Sequence, residues 1–196
     1  EGTLGIPLPK VNVKIVNPKD GQEQKYDEVG EVCFHAPNIM SGYFKNPKET
    51  DNIIKTHADN KKWIHTGDLG SVDQEGFLTF HGRIKKIYLT KGSDNNVYKL
   101  FPMQIENELI KNEEVLECGT IVVPDQEKIH VAIAFVRVKV GLEKETVRGK
   151  ILEFARAHLP EHAIPKKIML IEKMPYTQSN KIDYKKLEEK YQKENR

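Results

Sequence analysis

Apolar and polar positions alternate with a two-residue period through much of the first 80 residues, the pattern of half-buried strands. In "VNVKIV" (11–16) the alternation sets Val11, Val13 and Ile15 on one face, and "PKDG" (18–21) supplies turn chemistry after it. "GEVCFHA" (30–36) predicts a second strand. "WIHTGDLGSVDQEGFLTFHG" (63–82) predicts two more around a tight turn at "DQEG". Between them "NPKETDNII" (46–54) predicts a short helix, with Asn46 as N-cap and Pro47 at the first helical position.

The period changes in the second half. "FPMQIENELIKN" (101–112) has helical spacing, with Ile105, Leu109 and Ile110 inward. "EKETVRGKILEFARAHL" (143–159) predicts a helix with Val147, Ile151, Leu152, Phe154 and Ala155 toward a core. "CGTIVVP" (118–124) and "KIHVAIAFVRV" (128–138) predict paired strands, and "PKKIMLIEKM" (165–174) a third. "RIKKIYLT" (83–90) is a strand or a linker into one, "GSDNNV" (92–97) a polar loop, and "YKKLEEKYQKEN" (184–195) a surface helix. Strands and helices alternate without a regular βαβ rhythm. The expected fold is therefore α+β: a β-rich part over 1–83, then a small α+β domain over 84–196 with a three-stranded antiparallel sheet and flanking helices.

Charge narrows the function classes. The 31 Lys and Arg against 29 Asp and Glu leave a net charge of +2. A nucleic-acid or acidic-membrane binder needs a clustered basic excess, which is not found here. No stretch approaches the ~20 apolar residues of a membrane span. The two cysteines, Cys33 and Cys118, lie in apolar runs and lack CxxC spacing. They read as buried thiols of a reducing, cytoplasmic compartment rather than as a disulfide. The opening "EGTLGIPLP", without an initiator Met, reads as a piece of a longer protein. The seven histidines are dispersed; His158 and His162 are four apart but interrupted by Pro160, and His65 lies beside the Asp68 turn.

Three stretches can carry chemistry. In "WIHTGDLG", Asp68 beside Gly67 at a strand end can point its carboxylate outward to accept from a vicinal diol, or can merely close a turn. In "FHGRIKK" (80–86), at the change of composition, Arg83 can anchor a phosphate or ribose oxygen, or can protect a strand edge. In "PYTQSNKIDYKKL", Asp183 suits the N-cap of the last helix. Lys181 then sits on a loop, either as one more solvated charge or as a cation able to stabilise charge on a phosphoryl or carboxylate oxygen.

"GIPLP", "MSGYFKNPKET" (40–50), "WIHTGDLG", "GFLTFHGR" (76–83), "FPMQIENEL" (101–109) and "PYTQSNKID" (175–183) follow one another along the chain. The series resembles the adenylate-forming superfamily, which includes acyl-CoA synthetases, peptide-synthetase adenylation domains and luciferases. The resemblance covers essentially the whole chain and implies its position: the end of a large domain plus the whole small C-terminal domain. It implies an ATP- and Mg²⁺-dependent activation of a carboxylic acid, followed by transfer to CoA. By position, Asp68 matches the residue that binds the ATP ribose hydroxyls. Phe80 lies near the nucleoside, and Arg83 at the ribose and phosphate. Lys85 matches the hinge about which the small domain swings. Lys181 matches the lysine that bridges the α-phosphate and the substrate carboxylate. Lys91 and Gly92 are the nearest matches on the CoA side.

Two departures stand out. Asn180 occupies the place of the glycine usual before the catalytic lysine, and asparagine tolerates the left-handed conformation better than most residues. The segment "LTKGSDNNVYKLFPMQIE" (89–106) is several residues longer than is usual, with Gly92 as its one glycine. That length leaves open another acceptor, such as a carrier protein served by an aryl or amino-acid adenylation domain. No Ser/Thr/Gly-rich phosphate loop occurs, so the chain alone is expected not to adenylate. A non-enzymatic β-rich interaction module is the competing class.

Overall fold

Strands joined by short turns pair with their sequence neighbours, and the first part of the chain follows that rule. The computed structural model describes residues 3–139, 141 and 143–195. The chain divides into two compact units, Glu1–Lys85 and Lys86–Arg196. In the first, β1 (Asn12–Val16), β2 (Gly30–His35), β3 (Ile54–Thr56), β4 (Lys62–Val72) and β5 (Leu78–Arg83) form one sheet. Its order is β1-β2-β4-β3, with β5 also on β4, and every pairing is antiparallel. The buried cluster under it is small: Val16, Cys33 and Trp63. Helix α1 (Pro47–Ile53) starts as the sequence predicts, with Asn46 Oδ1 accepting from the Glu49 N–H at 3.2 Å. Strand β3 has no counterpart in the sequence expectation; its three residues fall inside and just after the predicted helix.

The second unit opens with a hairpin, β6 (Tyr88–Lys91) and β7 (Val97–Leu100). Helix α2 (Pro102–Leu109) follows, then β8 (Val115–Asp125), β9 (Ile129–Val138), α3 (Lys144–His158), β10 (Lys167–Leu170) and α4 (Tyr184–Glu194). The sheet order is β10-β9-β8. Strand β9 explains why "VAIAFV" is a continuous apolar run rather than an alternation. Ala132, Ala134 and Val136 pack into a core with α2 and α3, while Ile133 and Phe135 pack into a second core with Leu187 of α4. A strand covered on both faces has no solvent side to keep polar. Inward residues of α3 are Val147, Ile151 and Ala155, with Leu152 and Phe154 only partly buried. Ile110, expected inward, is 45% exposed because α2 ends one residue before it.

One expectation is corrected. The three-stranded sheet is not wholly antiparallel: β8 pairs antiparallel with β9, but β10 runs parallel to β9, Lys167 opposite Ile133. The physical reason is the connection. A parallel neighbour needs a crossover of a dozen or more residues, and α3 supplies it.

Leu187 is fully buried on the face of the sheet that α4 covers. Leu187→Ala should destabilise the second unit by about 2–5 kcal/mol, whereas Lys185→Ala on the exposed side should change stability by no more than about 0.5 kcal/mol. Urea denaturation of the two variants checks this.

Candidate active site

Asp68 is aimed by a set of hydrogen bonds that begins on the neighbouring strand. Gly67 sits at φ +69°, a left-handed conformation that side chains disfavour, and this breaks the β4 pleat just before Asp68. The break is held from both sides. Glu31 Oε1 on β2 accepts from the Gly67 N–H at 2.9 Å, and the Thr66 hydroxyl donates to the Val32 carbonyl at 2.8 Å while accepting from the Asp68 N–H at 3.0 Å. Pairing registers shift at Glu31/Cys33 on β2 and at Leu69/Gly70 on β4, as a bulged turn requires.

The Glu31 carboxylate is itself held. Its Oε2 accepts from His65 Nδ1 at 2.8 Å, and the other nitrogen of that ring, Nε2, shares a hydrogen bond with His57 Nε2 at 2.9 Å. His57 stacks on Trp63 with centroids 5.8 Å apart, and the indole N–H donates to Asp59. Burial pushes the Glu31 carboxyl up, but the His65 and Gly67 donors outweigh it and leave it below the ordinary carboxylate value. Burial, then the Lys14 charge, pushes His57 below its ordinary value. Glu31, Cys33 and His65 bring three potential metal donors within 4.8 Å of one another. Both Glu31 oxygens and both His65 nitrogens are already engaged, however, and burial pushes the Cys33 thiol up to about 12. The cluster is committed to holding the turn.

Asp68 and Arg83 are brought together. They are register partners on β4 and β5, with Arg83 Nε 3.2 Å from Asp68 Oδ1. The approach lacks hydrogen-bond geometry, so Oδ1 is a buried acceptor with no hydrogen-bond donor. A carboxylate with spare acceptor capacity beside a guanidinium fits a diol attached to a phosphate. Phe80, partly buried, lies on β5 opposite Gly70.

Lys181, Lys91 and Gly92 belong to the second unit. Residues 176–182 form a miniature hairpin: a bridge joins Tyr176 and Ile182, and the Thr177 N–H donates to the Lys181 carbonyl at 2.8 Å. Asn180 closes it at φ +57°, so asparagine takes the left-handed conformation that the sequence expectation required of it. Asp183 then caps α4, accepting from the Lys186 N–H at 3.2 Å. Lys181 is exposed on this rigid turn and makes no ion pair among the described residues.

Lys91 ends β6, and Gly92 follows it. The Lys91 N–H donates to the Lys128 carbonyl at 2.9 Å. A Cβ at Gly92 would meet Asp94 Oδ1 at 2.7 Å and Tyr98 Cε2 at 2.8 Å, so a side chain there would have to displace Asp94 and Tyr98. The long tip is ordered rather than slack. Asp94 accepts from the Asn96 N–H and the Tyr98 hydroxyl, Ser93 donates to Glu161 at 2.8 Å, and Tyr98 stacks on His162 with centroids 4.4 Å apart.

Sequence reasoning missed Glu31 and His57, and also Glu106 and Tyr184, which bond each other in the second unit. For Glu31 a signal existed: a carboxylate in one apolar run and an imidazole in another, both in predicted strands. For Tyr184 none did.

The chain is similar in sequence and fold to known proteins. The AMP-binding enzyme C-terminal domain profile matches residues 104–181, and the AMP-binding enzyme profile matches residues 1–44. A long-chain-fatty-acid–CoA ligase of Salmonella typhimurium is 30% identical over 181 residues, 92% of this chain and 30% of that protein. The putative acyl-CoA synthetase YngI of Bacillus subtilis is 31% identical over 188 residues, 96% of this chain and 32% of that protein. Among solved structures, ATP-bound MatB from Rhodopseudomonas palustris superposes with a TM-score of 0.82 at 26% identity, over 97% of this chain and 36% of that one. The chain thus spans about a third of the length of the proteins it matches.

The Glu31 network has a pH signature. The folded values of Glu31 and His57 lie below their ordinary 4.5 and 6.5, so the folded state resists both protonations. Their contribution is fully present above those values and is lost as pH falls, first through the imidazole range and then through the carboxylate range. The melting temperature should therefore drop between pH 7 and pH 4, and drop less in Glu31→Gln, as calorimetry across that range would read.

Proposed function

The chain belongs to the adenylate-forming, AMP-binding enzyme superfamily, and we propose that it is the C-terminal part of an ATP-dependent carboxylate-activating enzyme of the acyl-CoA synthetase type. Its first unit is the edge of a larger domain that holds the nucleotide, and its second is a lid that pivots about Lys85. The observation that carries this reading is Asp68: a carboxylate fixed by a glycine turn and held 3.2 Å from the Arg83 guanidinium. The apolar surface of the first unit agrees with it. Leu4, Ile6, Leu8 and Phe44 are 62–89% exposed, apolar side chains that a neighbouring part of a larger domain would cover.

Each residue has a task that follows from its chemistry. Asp68 accepts from the two ribose hydroxyls of ATP, and Arg83 faces the ribose and phosphate with a planar fork of donors. Phe80 lies against the nucleoside. Two anions, the acid's carboxylate and the α-phosphate, must then meet. Lys181 screens their repulsion and stabilises the charge that builds on the phosphoryl oxygens as the carboxylate displaces pyrophosphate. Mg²⁺, when bound, would neutralise the departing pyrophosphate, and no residue of this chain is assigned to it. Rotation about Lys85 next withdraws Lys181 and presents the β6–β7 hairpin, with Lys91 and Gly92 beside the path of the CoA thiol. The thiol attacks the acyl carbonyl, AMP leaves, and a thioester remains.

In the full-length protein, Lys181→Ala should lower pyrophosphate release by about 10²–10³-fold. It should leave thioester formation from a supplied acyl-adenylate near wild type. Asp68→Ala should raise the KM for ATP by about tenfold or more. If both variants retain adenylation, the interaction-module class is the better account. The chain by itself, given ATP, Mg²⁺ and a panel of carboxylates, should release no pyrophosphate above background. Offering CoA and a carrier protein separately identifies the acceptor.

A further inference from the structure

Strand β8 is an edge strand, and an edge leaves alternate backbone N–H groups without a sheet partner. One of these, on Thr120, is met by a side chain: Glu106 Oε1 of α2 accepts from it at 2.6 Å. The same carboxylate accepts from the Tyr184 hydroxyl, at 3.1 Å to Oε1 and 3.0 Å to Oε2. Glu106 comes from the helix packed with Ala132, Ala134 and Val136. Tyr184, the first residue of α4, packs with the opposite core of Ile133 and Phe135. The two side chains thus clasp the sheet around its edge. Over the tyrosine ring stands Lys86, its ammonium 3.8 Å from the ring centroid.

The position of these residues along the chain gives the clasp a use. Lys86 directly follows Lys85. Tyr184 lies three residues after Lys181, and the segment between them is stiff: Ile182 is bridged to Tyr176, and Asp183 caps the helix while its N–H donates to the Pro175 carbonyl at 2.9 Å. We infer that Tyr184 is a positioning residue, tying the chain just beyond the pivot to the turn that carries Lys181. Swinging about Lys85 then carries the Lys181 ammonium as part of one rigid body. Burial pushes the Glu106 carboxyl up, against the pull of the Thr120 N–H, the Tyr184 hydroxyl and the Lys86 charge, so removing any donor there weakens the whole clasp. The inference rests on the proposed adenylating function.

The test uses the full-length protein with the two half-reactions assayed apart. Lys86→Gln removes the cation but none of the buried groups. It should lower the kcat of adenylation by about tenfold or more, since a misplacement near 1 Å costs up to about 10²-fold. The KM for ATP, the melting temperature and thioester formation from supplied acyl-adenylate should stay near wild type, and Lys86→Arg should restore adenylation. In a Tyr184→Leu background, Lys86→Gln should have no further effect on adenylation. Adenylation by Lys86→Gln within twofold of wild type overturns the inference. So does an equal loss in both half-reactions, or failure of Lys86→Arg to rescue. A separate readout needs no catalysis: NMR of the full-length protein should show the Lys86 ε-methylene protons shifted upfield by the Tyr184 ring, and the shift lost in Tyr184→Leu. An active enzyme without that shift refutes the clasp alone. A full-length protein that adenylates nothing refutes the proposed function, whatever the shift.

Discussion

One buried carboxylate decides where the acceptor at position 68 points. Glu31 receives His65 through one oxygen and the Gly67 N–H through the other, and so holds a left-handed glycine inside an otherwise regular strand. Without that break β4 would continue its pleat and Asp68 would be set by the ordinary alternation of sides. With it, Asp68 meets Arg83 and keeps a buried oxygen without a hydrogen-bond donor. The charge of Glu31 is tolerable because its donors outweigh its desolvation. The imidazole pair and the stacked tryptophan behind it support the turn that carries Asp68.

The second unit solves a different problem, that of carrying an exposed lysine on a rigid mount. Its central strand is covered on both faces, and each face belongs to a different helix set. Two layers alone would leave α4 free to shift against α2. Glu106 and Tyr184 remove that freedom at the β8 edge, where an unpaired backbone donor had to be satisfied in any case. The Lys181 turn gains precision from the same contact. Asn180 shows that its left-handed corner does not require glycine.

Much of this is legible in the amino-acid sequence. The Asn46–Pro47 helix start, the apolar faces of α2 and α3 and the Asp183 cap all follow from local rules, and local rules suffice where a few residues decide the outcome. The candidate residues Asp68, Arg83 and Lys181 emerge through motif resemblance, and their surroundings do not. Glu31 reaches Gly67 across 36 residues and Tyr184 reaches Glu106 across 78; no periodicity encodes such meetings. The direction of β10 escapes for the same reason, because a short apolar run carries no sign of which way it enters a sheet. The tip at 92–96 reads as a polar loop; its order comes from Glu161 and His162, far away in sequence.

The central claim is that the Lys181 ammonium comes to a nucleotide whose ribose Asp68 grips. The most direct measurement is a structure of the full-length protein with a non-hydrolysable acyl-adenylate analogue bound. The account predicts Lys181 Nζ at hydrogen-bond distance, about 3 Å, from the oxygens of the phosphate mimic, and both ribose hydroxyls donating to Asp68. A ribose held by other groups, or a lysine locked into an ion pair remote from the nucleotide, would contradict it.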